Sequence, residues 1–263
     1  MTPNRCRWAL LAAAVFCCAA AAPAPQKVIA HIDLSKPFHL PPGASFIATQ
    51  GPEVDDPVYD GDKAPGLIHL CLRAALSAPC APDLDDALRQ NWPADSFSSI
   101  HYLEIARLEF PNGAARPPLI HLQISSFHSG DNDQRRVGEL LARRAGRFEV
   151  VYRENIGNNH NEEIRYISRG PLKGSVVAAL SPYGPPFSYV LKVNRLTPDY
   201  RYKQVLRYRS ATIYGDGNPL AVIDSEMPNI LRRLGLWHTG QPLPLPSSPC
   251  PHPHLVKTEL WCA

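Results

Sequence analysis

The chain has 263 residues, a formal net charge of +3 with 19% charged residues, 28 prolines and 7 cysteines. Its cations come as pairs scattered among acids (Arg135 with Arg136, Arg143 with Arg144, Arg232 with Arg233), not as a basic stripe interleaved with aromatics, which argues against a nucleic-acid partner. Beyond the N-terminus no apolar run approaches the roughly 20 residues of a membrane-spanning helix, so no span is expected in the mature chain.

Arg5 and Arg7 precede the apolar run Trp8 to Ala22, and alanines and prolines follow it. That order is the one of a secretory signal, so residues 1–24 are expected to be cleaved and the mature protein to be periplasmic or secreted. Cleavage removes Cys6, Cys17 and Cys18 and leaves Cys71, Cys80, Cys250 and Cys262. An even count in an exported chain points to disulfides, and the local pairing, Cys71 with Cys80 and Cys250 with Cys262, closes the shortest loops. Zinc would call for C-x-x-C spacing or a histidine pair on a defined element, whereas His252 and His254 sit on a proline-rich tail. Residues 25–263 read as a single β-rich domain.

From Gln26 to Pro65 prolines and acids are dense, which predicts an irregular arm with edge strands around "SFIATQ" and "LIHLCLR". The stretch "PDLDDALRQNW" offers a helical turn or two. From Ile100 onward the texture becomes short segments of period-two alternation separated by Gly, Pro, Asn and Asp. In "LIHLQISSF" Ile120, Leu122 and Ile124 alternate with His121, Gln123 and Ser125, as in a half-buried strand. In "YKQVLRYR" Tyr202, Leu206 and Tyr208 share a face, and Lys203, Arg207 and Arg209 are expected on a solvent face. The strands predicted are 119–128, 137–144, 148–155, 162–168, 174–181, 187–196, 202–212 and 219–224. Sliding the chain by 54 residues lays Phe148, Val151 and Tyr152 on Tyr202, Val205 and Leu206, and "LIHLQISS" on "KGSVVAAL". Recurrence of strand and turn in the same order fits a mainly β fold of antiparallel meander sheets, β-propeller-like or a β-sandwich.

One short helix is predicted near the C-terminus. Asp224 or Ser225 caps it, Pro228 lies in its first turn, Ile230, Leu231 and Leu234 form its apolar face, and Gly235 stops it. Arg232 and Arg233 then sit at its carbonyl end, where the helix dipole favours cations. The tail, 240–263, holds too many prolines for sheet or helix and reads as polyproline II on the surface.

If the predicted strands are consecutive antiparallel neighbours, their connections alternate between two ends of the sheet. One end then collects 129–134, 157–163, 182–186 and 214–219. Asp131, Asp133, Asn158, Asn161, Glu162, Asp216 and Asn218 converge there, hard oxygen donors suited to calcium or to a polar ligand. Turn chemistry is the competing account of each loop, because Asn, Asp and Gly supply positive backbone dihedrals and side-chain-to-backbone bonds at hairpin ends. No loop completes the regular calcium pattern.

The segments "GNNHNEEIRYISRGPLKG" and "LRYRSATIYGDGNPLAVIDSEMP", with the terminal "ELWCA", resemble a group of exported bacterial proteins of unknown function; the resemblance implies export and paired cysteines and no particular activity. "ELLARRAGRFEVVY" is similar to blade hairpins of integrin-type calcium-binding propellers, which implies a propeller-like sheet and calcium at its loops. The chain has no nucleophile elbow, phosphate loop, zinc spacing or nucleotide fingerprint. Two function classes follow. The preferred one is a non-enzymatic exported β-domain that binds a polar ligand or an envelope protein through the Asp/Asn rim. The alternative is a glycan hydrolase that draws a carboxylate pair from Asp131, Glu162, Asp216 and Glu226, beside Tyr183, Phe187 and Tyr214.

Overall fold

The computed structural model describes residues 26–56, 60–80, 100–111, 117–126, 135–157, 161–181, 185 and 187–262. The leader, the helical turn expected within 82–92, Asp131, Asp133, Asn158 and Tyr183 lie outside these. The described chain runs β1 (Lys27–Asp33), α1 (Ser35–Phe38), β2 (Ser45–Gln50), β3 (Val54–Asp55), β4 (Lys63–Ala64), β5 (Ile68–Arg73), β6 (Tyr102–Glu109), β7 (Leu119–Ser125), β8 (Arg135–Arg144), β9 (Arg147–Gly157), β10 (Glu163–Tyr166), β11 (Val176–Leu180), β12 (Ser188–Leu196), β13 (Tyr202–Ile213), α2 (Val222–Arg233), β14 (Pro253–Val256) and β15 (Glu259–Cys262). The protein is mainly β and antiparallel, and its described strands close no barrel.

Three sheets carry the fold: sheet I in the order β1-β2-β5, sheet II in the order β9-β8-β7-β6 and sheet III in the order β10-β11-β12-β13. The 54-residue offset in the sequence lays β7, β8 and β9 of one meander on β11, β12 and β13 of the next. The repeat is therefore a repeat of sheets. The stretch expected to be an irregular arm holds sheet I instead, because "KVIAHID" supplies a third strand that pairs along β2.

The sheets stack face to face, as the alternation of side chains requires. Ile120, Leu122 and Ile124 of β7 join Phe46, Leu70 and Leu72 of sheet I in one core, while Leu119 of the same strand joins Ile164, Val176 and Ala178 of sheet III in another. Likewise Val176 and Ala178 face sheet II, and Val177 and Ala179 face α2. Between sheets II and III, a Cβ on Gly138 would stand 2.9 Å from the Ile164 Cδ1, so glycine permits the approach of Ile164 there. The strand expected to be half-buried is buried at every position. His121 Nδ1 meets Glu109 Oε1 at 3.1 Å, Gln123 Nε2 donates to Glu104 Oε2 at 2.9 Å and Ser125 Oγ to Glu104 Oε1 at 2.7 Å, so its polar face is satisfied inside the protein.

Residues 219–224, expected as a strand, are instead the turn into α2 and its first residues. The residue at the helix N-cap is Ala221, without a side-chain cap. Asp224 and Ser225 lie inside the helix, and so does Pro228. The first turn is capped from elsewhere: the Ile223 amide donates to Glu163 Oε1 at 2.6 Å, a carboxylate 60 residues earlier. The helix ends as expected. Gly235 takes φ 68°, and the amides of Gly235 and Leu236 donate to the carbonyls of Arg232 and Leu231 at 3.0 and 2.8 Å, a Schellman arrangement. Arg232 donates to Asn229 Oδ1, and Arg233 lies 4.3 Å from the Tyr208 ring centroid.

The end of the tail was also expected to be free of sheet, yet β14 and β15 pair as a hairpin across Val256 and Glu259. Pro253 is the first residue of its strand, where the missing N–H costs nothing. Leu260 is fully buried and Leu255 packs into the core beneath α2. Residues 242–252 carry no regular secondary structure.

Cys71 pairs with Cys80 and Cys250 with Cys262, with Cα atoms 5.1 and 4.8 Å apart, the local connectivity expected. The second bridge closes the proline-rich segment onto β15. Replacing Cys250 and Cys262 together by serine is expected to lower stability by about 2 to 3 kcal/mol, the loop-entropy contribution of a bridge this short. Urea unfolding of the double variant reads that loss, and a midpoint equal to the parent's would refute it.

Candidate functional site

Strand register decides which loops share an end. Arg135 pairs with Gly157, so the strand ends flanking residues 126–134 and 158–162 lie side by side in sheet II. Glu163 pairs with Ala179 and Ser188 with Ile213, so the connections 161–162, 181–187 and 214–219 leave one end of sheet III. Gly157 and Glu163 are joined by a short link, and the Gly157 amide donates to Glu162 Oε2 at 2.7 Å.

Most of the described rim side chains are engaged in shaping their own turns. Asn161 takes φ 58°, a left-handed turn position. Asp216 accepts from the Ile213 amide at 3.1 Å with Oδ2 and from the Asn218 amide at 2.9 Å with Oδ1. Asn218 Oδ1 accepts from the Leu220 amide, and its Nδ2 donates to Ser225 Oγ at 2.8 Å and to the Leu260 carbonyl at 3.0 Å. Asn218 thus ties the turn to α2 and to the C-terminal hairpin.

A charge cluster nonetheless forms beside these turns. Tyr189 is 1% exposed at the start of β12, and its hydroxyl is pushed up to about 12, first by burial and then by Asp216, Tyr214, Glu162 and Glu163. Asp216 and Tyr214 belong to the turn after β13, and Glu162 and Glu163 to the entry and first residue of β10. Burial also raises the Glu163 carboxyl, against the pull of Arg165 and of the Ile223 amide. Glu259 on β15 is raised by burial and then by Glu226 and Asp216. The end of sheet III is therefore rich in carboxylates, and Tyr214, 47% exposed, directly follows β13 there, its amide donating to the Phe187 carbonyl at 3.0 Å.

Arg165 neutralises the inner part of the cluster. Its guanidinium donates to Glu163 at 2.7 Å and to Asp224 at 2.5 Å. Strand β10 and helix α2 are clamped by this one side chain, and the helix start is positioned by Glu163. Among the described residues no group of three or more His, Cys, Asp or Glu side chains is placed to hold a metal ion.

Glu226, considered for a hydrolytic pair, is placed differently. It is fully buried on α2 and accepts from Tyr208 Oη at 2.7 Å, the Ala211 amide at 2.7 Å, the Thr212 amide at 2.8 Å, Thr212 Oγ1 at 3.0 Å and Asn229 Nδ2 at 3.1 Å. Four of these five donors belong to β13 and tie the helix to that strand, and the fifth, Asn229, lies on the helix itself. Phe187, 47% exposed with φ 55°, flanks the rim side of β12.

Sequence reasoning singled out Glu162 but not Glu163, Arg165 or Tyr189. The signal for the pair was present, since Glu163 and Arg165 are two apart on a strand and so share a face. Nothing local indicated Asp224 as their partner. Compared with protein-family models, with curated proteins and with solved structures, the chain matches none.

Proposed function

We propose that this is an exported, non-enzymatic β-domain that binds a polar ligand or an envelope partner at the acid-rich rim, with calcium as the candidate ion. The observation that carries the reading is the register of sheet III, which brings Glu162 and Glu163, before and at the start of β10, and Asp216, after β13, to one end of the sheet. A group of carboxylates at the end of a sheet, beside an exposed tyrosine, favours a cation or a hydroxyl-rich molecule.

The test is an amide NMR titration with calcium chloride and, separately, with a neutral oligosaccharide such as cellotetraose. Saturable shifts at Gly157, Glu162, Tyr214 and Gly215 with either probe are expected, and the pair Glu162→Gln with Asp216→Asn should abolish them. The asparagine keeps one acceptor oxygen, for the Asn218 amide, and loses the one that serves the exposed Ile213 amide, so the charge is removed at the cost of one exposed turn hydrogen bond. Calcium binding would also raise the melting temperature, by about 2.7 kcal/mol of stabilisation at a hundredfold excess over Kd. Absence of rim shifts with both probes would overturn the proposal.

A further inference from the structure

A cavity of about 310 Å³ opens between the β10–β11 turn, helix α2 and the proline-rich segment near residue 245. It borders the clamp, because Arg165 and Asp224 form part of its wall, and it belongs to none of the turns of the rim. Its volume lies at the lower end of the range of small-molecule sites.

The lining has two chemistries. Leu172, Met227, Leu231, Pro244 and Leu245 supply apolar surface. Leu245 is 54% exposed although it faces the cavity, an apolar wall left open to solvent. Arg165 is matched within the wall by Asp224 and pairs behind it with Glu163. Arg169 is not balanced: it is exposed on the turn, lines the cavity and pairs with no acid among the described residues. Ser168 and Ser247 add hydroxyls to the wall.

One uncompensated cation above an apolar floor is complementary to one class of small molecule. We propose that this cavity is a second binding site, for a monoanionic amphiphile whose carboxylate meets Arg169 and whose short alkyl chain lies against Leu172, Met227, Leu231 and Leu245. The proline-rich wall is held for this purpose at both ends. Trp237 Nε1 donates to the Pro242 carbonyl at 2.9 Å, and Cys250 is bonded to Cys262. A wall fixed before binding loses little freedom when the ligand enters.

The test titrates the full folded protein with sodium decanoate and, as a matched cation, with decyltrimethylammonium bromide, both below micelle formation, and reads amide shifts. Decanoate is expected to give saturable shifts at Ser168, Arg169, Gly170, Leu172 and Leu245, with decyltrimethylammonium much weaker. Arg169→Glu should weaken decanoate about tenfold, the size of a lost charge-assisted contact, and should improve the cation. Leu245→Asp should weaken decanoate as well. Both positions are exposed, so an unchanged remainder of the spectrum reports that the fold is intact. The rim variants Glu162→Gln with Asp216→Asn should leave decanoate binding untouched, which separates this site from the rim. Equal binding of anion and cation, unaltered affinity in Arg169→Glu, or no saturable shift would overturn the proposal.

Discussion

Replacing Glu226 by alanine is expected to cost about 4 kcal/mol of stability, within the range for breaking a buried charged network. The physical reason is the number of donors that lose their acceptor together. The Ala211 and Thr212 amides fall in the register shift of β13 opposite Ser188 and Val190, where the ladder with β12 is interrupted, and Glu226 Oε1 serves both. Tyr208, whose hydroxyl is raised by burial and then by Glu226, donates to Oε2. Water cannot replace the carboxylate fully, because the site is buried between helix and sheet. Glu226→Gln keeps the volume and one carbonyl acceptor and should lose roughly half as much. Urea denaturation of both variants measures the difference. A loss below about 1 kcal/mol in the alanine variant would mean that the network does not hold the helix to the sheet.

Replacing Glu139 by glutamine is expected to change how stability depends on pH. Glu139 is fully buried on β8 and pairs with Arg153 Nε, while its Oε2 has no partner. Burial outweighs the pull of Arg153 and pushes the carboxyl from the ordinary 4.5 up to about 7. Between those values the folded protein holds a proton that the unfolded chain has released. Stability therefore falls as pH rises from about 4.5 to about 7 and is level above that, the reverse of the behaviour of a carboxylate with a lowered value. A shift of this size corresponds to about 3 kcal/mol. Glutamine mimics the protonated form and removes the slope. The variant should match the parent near pH 4.5 and exceed it by about 3 kcal/mol at pH 8, which paired urea melts at the two pH values would show. Parallel stability curves for parent and variant would refute the account.

The edge cations show how register refines a pattern. Lys203, Arg207 and Arg209 are all exposed, as the alternation of "YKQVLRYR" predicts. A register shift between Val193 and Asn194 separates them, so Arg207 faces Lys192 across the strands while Lys203 faces Arg195. Lys192 is held by Glu154 of sheet II at 3.0 Å, which relieves the like-charge pair that the register creates.

The sequence by itself determined the elements whose signals are local. Period-two alternation placed β7 to β13 within a few residues, the 54-residue echo identified two successive meanders, and Gly235 marked the helix end because a residue without a Cβ accepts that left-handed turn cheaply. The cysteine pairing followed from short loop closure. The tertiary structure alone decided what fills each exposed-looking face. Alternation cannot tell a polar face turned to water from one turned to another sheet, so His121, Gln123 and Ser125 read as solvent-facing until Glu109 and Glu104 are seen to satisfy them. The start of α2 was misplaced for a related reason: its cap is Glu163, brought in by sheet pairing, and a sequence window holds no trace of a donor–acceptor pair 60 residues apart. At the rim, the turn roles of Asp216 and Asn218 were legible from their residue types, whereas the placing of Glu162, Glu163 and Asp216 at one end of sheet III required the register of β10 to β13. Local chemistry is written along the chain. Partners from distant strands are supplied by packing, because the free energy that selects them resides in the buried interface and not in either segment alone.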